Sequence, residues 1–152
     1  AMDLSPEITR TYLRLPLEAL LAVAEGLGDE HVNERPNGEG TNSGAALGAH
    51  CCGVVEFWIG HVALGRPSAR DRDAEFVTTA TVADLRDQVG ATLARIDDDV
   101  AAWASIEAPI PNELREFLPA NDGSDADVLL HVLEELFQHL GHAEATADAI
   151  RR

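Results

Sequence analysis

The sequence contains no lysine, so all 11 of its basic side chains are arginines. Against 27 aspartates and glutamates, they leave a formal net charge of −16 over 152 residues. A surface this acidic repels phosphate groups, which argues against binding nucleic acid or an anionic membrane through charge. The charge does not identify a partner, because an acidic surface also serves simply to keep a protein in solution.

Cysteine is also scarce, and the two that occur, Cys51 and Cys52, are adjacent. This arrangement disfavours a disulfide framework and is typical of a reducing compartment. No apolar run approaches the roughly 18 residues of a membrane span. The first residues carry acids where a signal peptide would carry bases, and Ala1, which precedes Met2, is taken as a remnant of expression. We therefore expect a cytoplasmic protein that does not enter a membrane.

No segment shows the alternation typical of a β-strand, and no internal repeat is present. Four segments instead carry apolar residues at helical spacing. The second is apolar around most of its circumference, so we expect it at the centre of the fold. The sequence predicts one all-α domain over 1–152, a four-helix bundle with long loops. The predicted helices run from Ser5-Pro6 to Gly26 and Gly28, from Thr41–Ser43 to Leu64, from Thr81 to Ser105, and from Ser124 or Asp125 to the end.

The fourth predicted helix contains the stretch "HVLEELFQHLGH", which holds three histidines and two glutamates. On a helical wheel, Glu135 and His139 lie at the border of the apolar arc and are spaced i,i+4, so their heads lie over one spot. His131 and Glu134 lie further toward water. His142 is one turn beyond His139, where it is a candidate to support a ligand or face a substrate.

The second predicted helix places His50 near the middle of an apolar face, where a buried imidazole needs a hydrogen bond or a metal. His61 falls on the same face but about 16 Å along the axis, too far to share a metal with His50. The neighbours of His50 on this face are apolar or aromatic: Leu47, Val54, Phe57 and Trp58.

Each pattern alone is typical of a structural feature, namely a hydrogen-bonded core histidine and a solvated polar stripe. Together they favour a metal site, because two histidines, a carboxylate and an open position suit zinc, nickel or iron(II). A ferritin-like di-iron site is excluded because Glu135 is followed three residues later by Gln138 rather than histidine. Cys51, next to His50, is a candidate nucleophile, although adjacent buried cysteines are more often small apolar groups.

Three segments carry a resemblance to a known group: "AALGAHCCGVVEFWIGHVALGRP", "DRDAEF" and "VLLHVLEELFQHLGHAEATADAIR". In their order and spacing they resemble the DinB-like (YfiT-like) four-helix bundles. The branch they resemble most is the actinobacterial one that shares its bundle with mycothiol-dependent maleylpyruvate isomerase. The resemblance extends over nearly the whole chain.

The resemblance implies that His50, Glu135 and His139 bind a divalent metal, most often zinc or nickel. It implies a thiol S-transferase that conjugates a low-molecular-weight thiol, here mycothiol, to an electrophile. His142 falls where many members carry glutamine. The isomerase has a further domain after its bundle, so a chain ending at Arg152 is expected to be a stand-alone transferase.

Some side chains and one other function stay open on the sequence alone. Trp58, His131 and His142 are candidates to face the substrate. Arg35, Arg70 and Arg72 lie in predicted loops and are candidates to bind a carboxylate, or else are solvated surface. The alternative function is a non-catalytic bundle that binds metal or is purely structural. A homodimer is expected in either case, because the second helix is so apolar.

Overall fold

The computed structural model describes residues 4–151, and within that range the chain forms helices and no strand. The predicted all-α architecture with four long helices is confirmed. Two short elements lie in the long connections, one before α4 and one before α5. The elements are α1 (Pro6–His31), α2 (Gly44–Val55) continued by a π-helix (Glu56–Ala63), α3 (Arg72–Glu75), α4 (Val82–Ala104), a 3₁₀ turn (Glu113–Phe117) and α5 (Asp125–Ile150).

Side-chain caps set the start of each long helix close to the predicted residue. The hydroxyl of Ser5 accepts a hydrogen bond from the Ile8 backbone N–H, and Ser124 caps α5 in the same way. At the start of α4, Thr81 and Asp84 form a reciprocal capping box. These caps satisfy backbone N–H groups that have no partner within the helix.

The end of α1 differs from the prediction. The helix continues to His31, with Gly28 at φ 68° and ψ 172° as an interruption. This backbone conformation is readily available to glycine and costly for other residues. Pro16 is buried inside the helix, but the non-helical dihedral angles fall at Gly28 and not at the proline.

Helix α2 is the core of the bundle, as predicted. Eleven of its twelve residues are buried, and it packs against α1, α4 and α5. Contrary to the expectation from the sequence, the continuous helix Gly44–Ala63 has the length and mean hydropathy (20 residues, 1.2) of a membrane span, although 72% of the apolar window is buried inside the fold. Burial within one chain accounts for this apolarity, so the expected homodimer needs other support.

Two loops on either side of α2 are fastened to each other. The Asn33 side-chain amide and the Ala80 backbone exchange two hydrogen bonds of 2.9 Å. The guanidinium of Arg35 donates to the backbone oxygens of Thr41 and Phe76. These bonds hold the segment that contains α3 against α2, at the level of His50.

Candidate metal centre

Three predicted ligands converge between α2 and α5. His50 projects from the buried helix α2, and Glu135 and His139 project from successive turns of α5. The His50 Nε2 atom lies 3.5 Å from Glu135 Oε2, and His139 Nε2 lies 3.4 Å from the same oxygen. One ligand atom from each residue falls within 4.8 Å of the others. The border of the apolar arc, where the wheel places Glu135 and His139, is therefore the side of α5 that faces His50.

These separations fit a shared cation better than direct hydrogen bonds. An N–H···O bond has a donor–acceptor distance of about 2.7–3.2 Å, shorter than either contact. Two ligand atoms about 2.1 Å from a tetrahedral zinc are about 3.4 Å apart. Among residues 4–151, no partner accepts or donates a hydrogen bond at His50 Nε2, although this nitrogen is fully buried. This buried nitrogen without a partner, the carboxylate and the second imidazole together form a donor set suited to a divalent metal.

The opposite edge of the His50 ring is held by a carboxylate that sequence reasoning missed. His50 Nδ1 lies 2.8 Å from Glu75 Oε2, and Glu75 in turn receives two hydrogen bonds from Arg70. Burial alone would raise the pKa of Glu75, but the hydrogen bonds from Arg70 and His50 outweigh it and hold the pKa below its usual value. Glu75 lies in the segment "DRDAEF", which carries part of the family resemblance, but the spacing of that segment does not predict a contact with His50.

Burial, and to a lesser extent the neighbouring His50, lowers the pKa of His139 below its usual value, and nearby Glu135 opposes the shift only in part. The imidazole is therefore neutral at neutral pH, which is the form that binds a metal.

In the metal-free protein, the lowered pKa of His139 predicts a loss of stability in acid. As the pH falls below 6.5, the unfolded chain takes up a proton at His139 before the folded chain does, so the free energy of unfolding decreases. The contribution is at most about 1.4 kcal/mol per pH unit. Urea unfolding at pH 7 and pH 5.5 should show a smaller acid loss for His139→Gln than for the wild type. Equal losses would contradict this assignment.

The remaining side chains of the α5 stripe lie in different surroundings. Glu134 is 62% exposed, against 26% for Glu135, as the wheel predicts. His131 is only 19% exposed, because the Trp58 ring packs edge-on against it at 4.8 Å; the wheel had placed it toward water. His142 is exposed and stacks on His139 with a centroid distance of 6.2 Å.

His61 does not continue the face of His50. Its Nδ1 lies 2.6 Å from the Arg66 backbone oxygen, and its ring packs on Phe57. The wheel assumed α-helical spacing, whereas Glu56–Ala63 is π-helical, which changes the direction of every side chain after Val55.

The three loop arginines have separate surroundings. Arg35 bonds backbone oxygens, and Arg70 pairs with Glu75, so partners within the chain account for both guanidinium groups. Arg70 also lies 5.3 Å from the Phe57 ring centroid. Arg72 is exposed and lies over the ring of Phe76 at 5.1 Å.

Both cysteines are buried, free thiols. Burial raises the pKa of Cys52 to about 11 and raises the pKa of Cys51 further. Neither forms the nucleophilic thiolate at neutral pH, because that requires a lowered pKa and access. The small apolar interpretation of the pair therefore fits the structure better than a Cys51 nucleophile.

Cys51→Ala should retain metal content and activity per bound metal to within about twofold, because an inert buried thiol contributes packing alone. In the native wild type, a thiol reagent such as dithionitrobenzoate should react slowly, and both thiols should titrate after unfolding. Loss of activity in a folded, metal-loaded Cys51→Ala variant would instead assign Cys51 to the chemistry.

Comparison with known proteins identifies a family for the chain. A family model described as "Mycothiol-S-transferase" matches residues 9–151. This range contains all four long helices apart from the first turn of α1, and it includes His50, Glu135 and His139. No curated protein and no solved structure matches the chain.

Proposed function

The chain belongs to the mycothiol S-transferase family, and on that premise we propose that it is a divalent-metal-dependent enzyme conjugating mycothiol to an electrophilic small molecule. The observation that carries the proposal is the convergence of His50, Glu135 and His139, in which the buried Nε2 of His50 has no hydrogen-bond partner among the described residues. We propose zinc as the ion; the same donor set accepts nickel(II) and iron(II), so metal analysis of the purified protein must identify it.

The three residues would hold the metal from one side and leave a coordination position open. A divalent metal bound there would take the thiol sulfur as a ligand and favour the thiolate at neutral pH. Glu135 contributes the only negative charge among the three proposed ligands. With a divalent ion held by these three residues, the site would therefore keep a net positive charge, which favours an anionic sulfur there.

The reaction needs no nucleophile from the protein itself. The thiol S–H loses its proton to solvent, a sulfur–carbon bond forms, and the bond from that carbon to a leaving group breaks, with the electron pair departing on the leaving group. In an addition, a carbon–carbon π bond breaks instead, and the neighbouring carbon takes up a proton. The inert environment of Cys51 and Cys52 agrees with this division of roles.

We assign the substrate-facing side to Trp58, His131 and His142. His131 and His142 lie on the ligand-bearing stripe of α5, and Trp58 packs on His131. An aromatic ring beside the His131 imidazole suits an electrophile with an apolar body and a polar reactive end. We also propose that the protein is cytoplasmic and that it forms a homodimer; light scattering of the purified protein would test the dimer.

Two measurements test the proposed function. Metal analysis should give about one divalent ion per chain. In cobalt(II)-substituted protein, adding mycothiol should produce a sulfur-to-cobalt charge-transfer band, and adding an alkyl or aryl halide should yield the thioether. Matched reactions with cysteine in place of mycothiol report thiol selectivity.

The outcomes separate the two candidate functions. Stoichiometric metal with neither a mycothiol-dependent band nor a thioether would overturn the transferase and favour the non-catalytic metal-binding bundle. Absence of any bound metal, after loading with zinc, cobalt, nickel and iron(II), would favour the purely structural bundle.

A further inference from the structure

A partly buried carboxylate lies behind His50, on the side of the ring away from Glu135. Glu75, at the end of α3, places Oε2 at 2.8 Å from His50 Nδ1. One edge of the Arg70 guanidinium binds the same carboxylate: Nε donates to Oε1 at 2.5 Å and Nη2 donates to Oε2 at 2.9 Å. His50 itself is 1% exposed, so its Nδ1 is paired with Glu75 rather than with bulk water.

This contact decides which nitrogen of His50 carries the proton. Because a carboxylate accepts and does not donate, it favours the tautomer with the proton on Nδ1. The lone pair is then on Nε2, the nitrogen that faces Glu135 and His139. Histidines that bind metals commonly donate their other N–H to a carboxylate, which fixes both tautomer and ring orientation.

The fold makes room for this carboxylate at a single glycine of α2. A Cβ added at Gly53 would overlap the carboxylate of Glu75, lying 2.7 Å from its Cδ and 3.2 Å from Arg70 Nε. Gly53 has helical backbone geometry, so no turn or left-handed conformation requires a glycine there. Its missing side chain is explained by the close approach of Glu75 to the helix.

Phe76 completes the arrangement. Its ring packs on the His50 imidazole with a centroid distance of 4.5 Å, and its backbone oxygen accepts a hydrogen bond from Arg35. The segment around α3 therefore contacts both the edge of the His50 ring, through Glu75, and the face of that ring, through Phe76.

We propose that Glu75 is a positioning residue that fixes the tautomer and orientation of His50 for metal binding. Arg70 holds the Glu75 carboxylate in place, and the absence of a side chain at Gly53 leaves space for it. The inference rests on the proposed function in one respect, namely that His50 is a metal ligand. It assigns to "DRDAEF" a role in the metal site rather than in binding a substrate carboxylate.

Two variants remove the contact by different routes. Glu75→Ala deletes the acceptor, and Gly53→Ala displaces it while leaving all three ligands and Glu75 in the sequence. Each should lower zinc affinity by about 10- to 100-fold, the usual effect of removing such a partner. Glu75→Gln keeps an acceptor oxygen and should lose less. Affinity is measured on the full chain by competition with a chromogenic zinc chelator.

Matched controls are available in the same chain. Gly90 is also a helix-interior glycine, but a Cβ added there meets nothing within 4 Å, so Gly90→Ala should bind zinc like the wild type. Glu134→Gln removes an exposed carboxylate one residue from a proposed ligand and should also have no effect. Circular dichroism of every variant checks that the helices form. If Glu75→Ala does not fold, the zinc affinities of Gly53→Ala and Glu75→Gln test the positioning role.

A second readout does not depend on metal. In metal-free protein labelled with ¹⁵N at histidine, the His50 ring should show the proton on Nδ1 in the wild type and in Gly90→Ala. Glu75→Ala and Gly53→Ala should shift it toward a mixture with Nε2–H. A residue that merely supported packing would leave this spectrum unchanged.

The failures of the two proposals are distinguishable. If the wild type binds zinc and the Glu75 and Gly53 variants bind it equally tightly with the same tautomer, the positioning role is overturned and the proposed function stands. If the wild type binds no metal, the proposed function fails and the metal-positioning role is overturned with it. The nitrogen spectrum then reports only whether Glu75 sets the tautomer.

Discussion

His50→Ala is expected to abolish metal binding and, with it, thiol transfer. His50 is the proposed ligand from α2, and its buried Nε2 has no alternative partner in the described part of the chain. Without it, Glu135 and His139 offer two ligands from one helix, too few for the three-ligand site typical of catalytic zinc. Because removing a supporting partner already costs about 10- to 100-fold in affinity, removing a ligand should cost more than about 100-fold.

Metal content after dialysis and the rate of mycothiol conjugation report this loss. His31→Ala is a suitable control, because His31 lies exposed at the end of α1 and pairs with Glu34, which belongs to none of the proposed sites. Full metal content in a folded His50→Ala variant would show that the ligands come from elsewhere. Retained activity despite a loss of metal would show that the metal is not required for the reaction.

The second large effect is expected from two adjacent glutamates of α5. Glu135→Gln should lower metal affinity by more than about 100-fold, since it replaces a charged ligand by a neutral amide oxygen. Glu134→Gln makes the same chemical change one residue away, on a side chain that is 62% exposed, and should change affinity by less than about twofold. The neighbouring pair controls for helix propensity, net charge and amide chemistry together.

Chelator competition on both variants at neutral pH measures the difference. The comparison is informative because the two changes alter the total charge equally. A similar loss in both variants would indicate that metal affinity follows the overall negative charge of the protein. A loss confined to Glu134→Gln would place the ligand on the opposite edge of the stripe.

The long helices and the directions of the proposed ligands could be predicted from the sequence, because both depend on local periodicity. The apolar arc of α5 fixes which side meets the core, so Glu135 and His139 could be placed at its border without a structure. The near-complete apolarity of α2 likewise predicts a central helix and an inward His50. Capping residues such as Thr81 and Ser124 gave the helix starts for the same reason.

The parts that could not be predicted depend on contacts between distant segments. Glu75 reaches His50 because Asn33 and Arg35 fasten two loops together, and no periodicity records that contact. His131 is half-buried because Trp58 covers it, which depends on how α2 and α5 approach each other. Arg115, a buried arginine before α5, bonds Gly123 and Asp125 and was not singled out from the sequence.

The π-helix after Val55 has a consequence for the history of the chain. In this segment a turn closes one residue later than in an α-helix, as in the bond from the Leu64 N–H to the Ile59 oxygen. An α-helix that gained one residue would have this form, with His50 upstream undisturbed and Trp58 and His61 rotated. Relatives that have an unbroken α-helix here should therefore align with a one-residue gap between positions 56 and 63, and they should present a different side chain to His131.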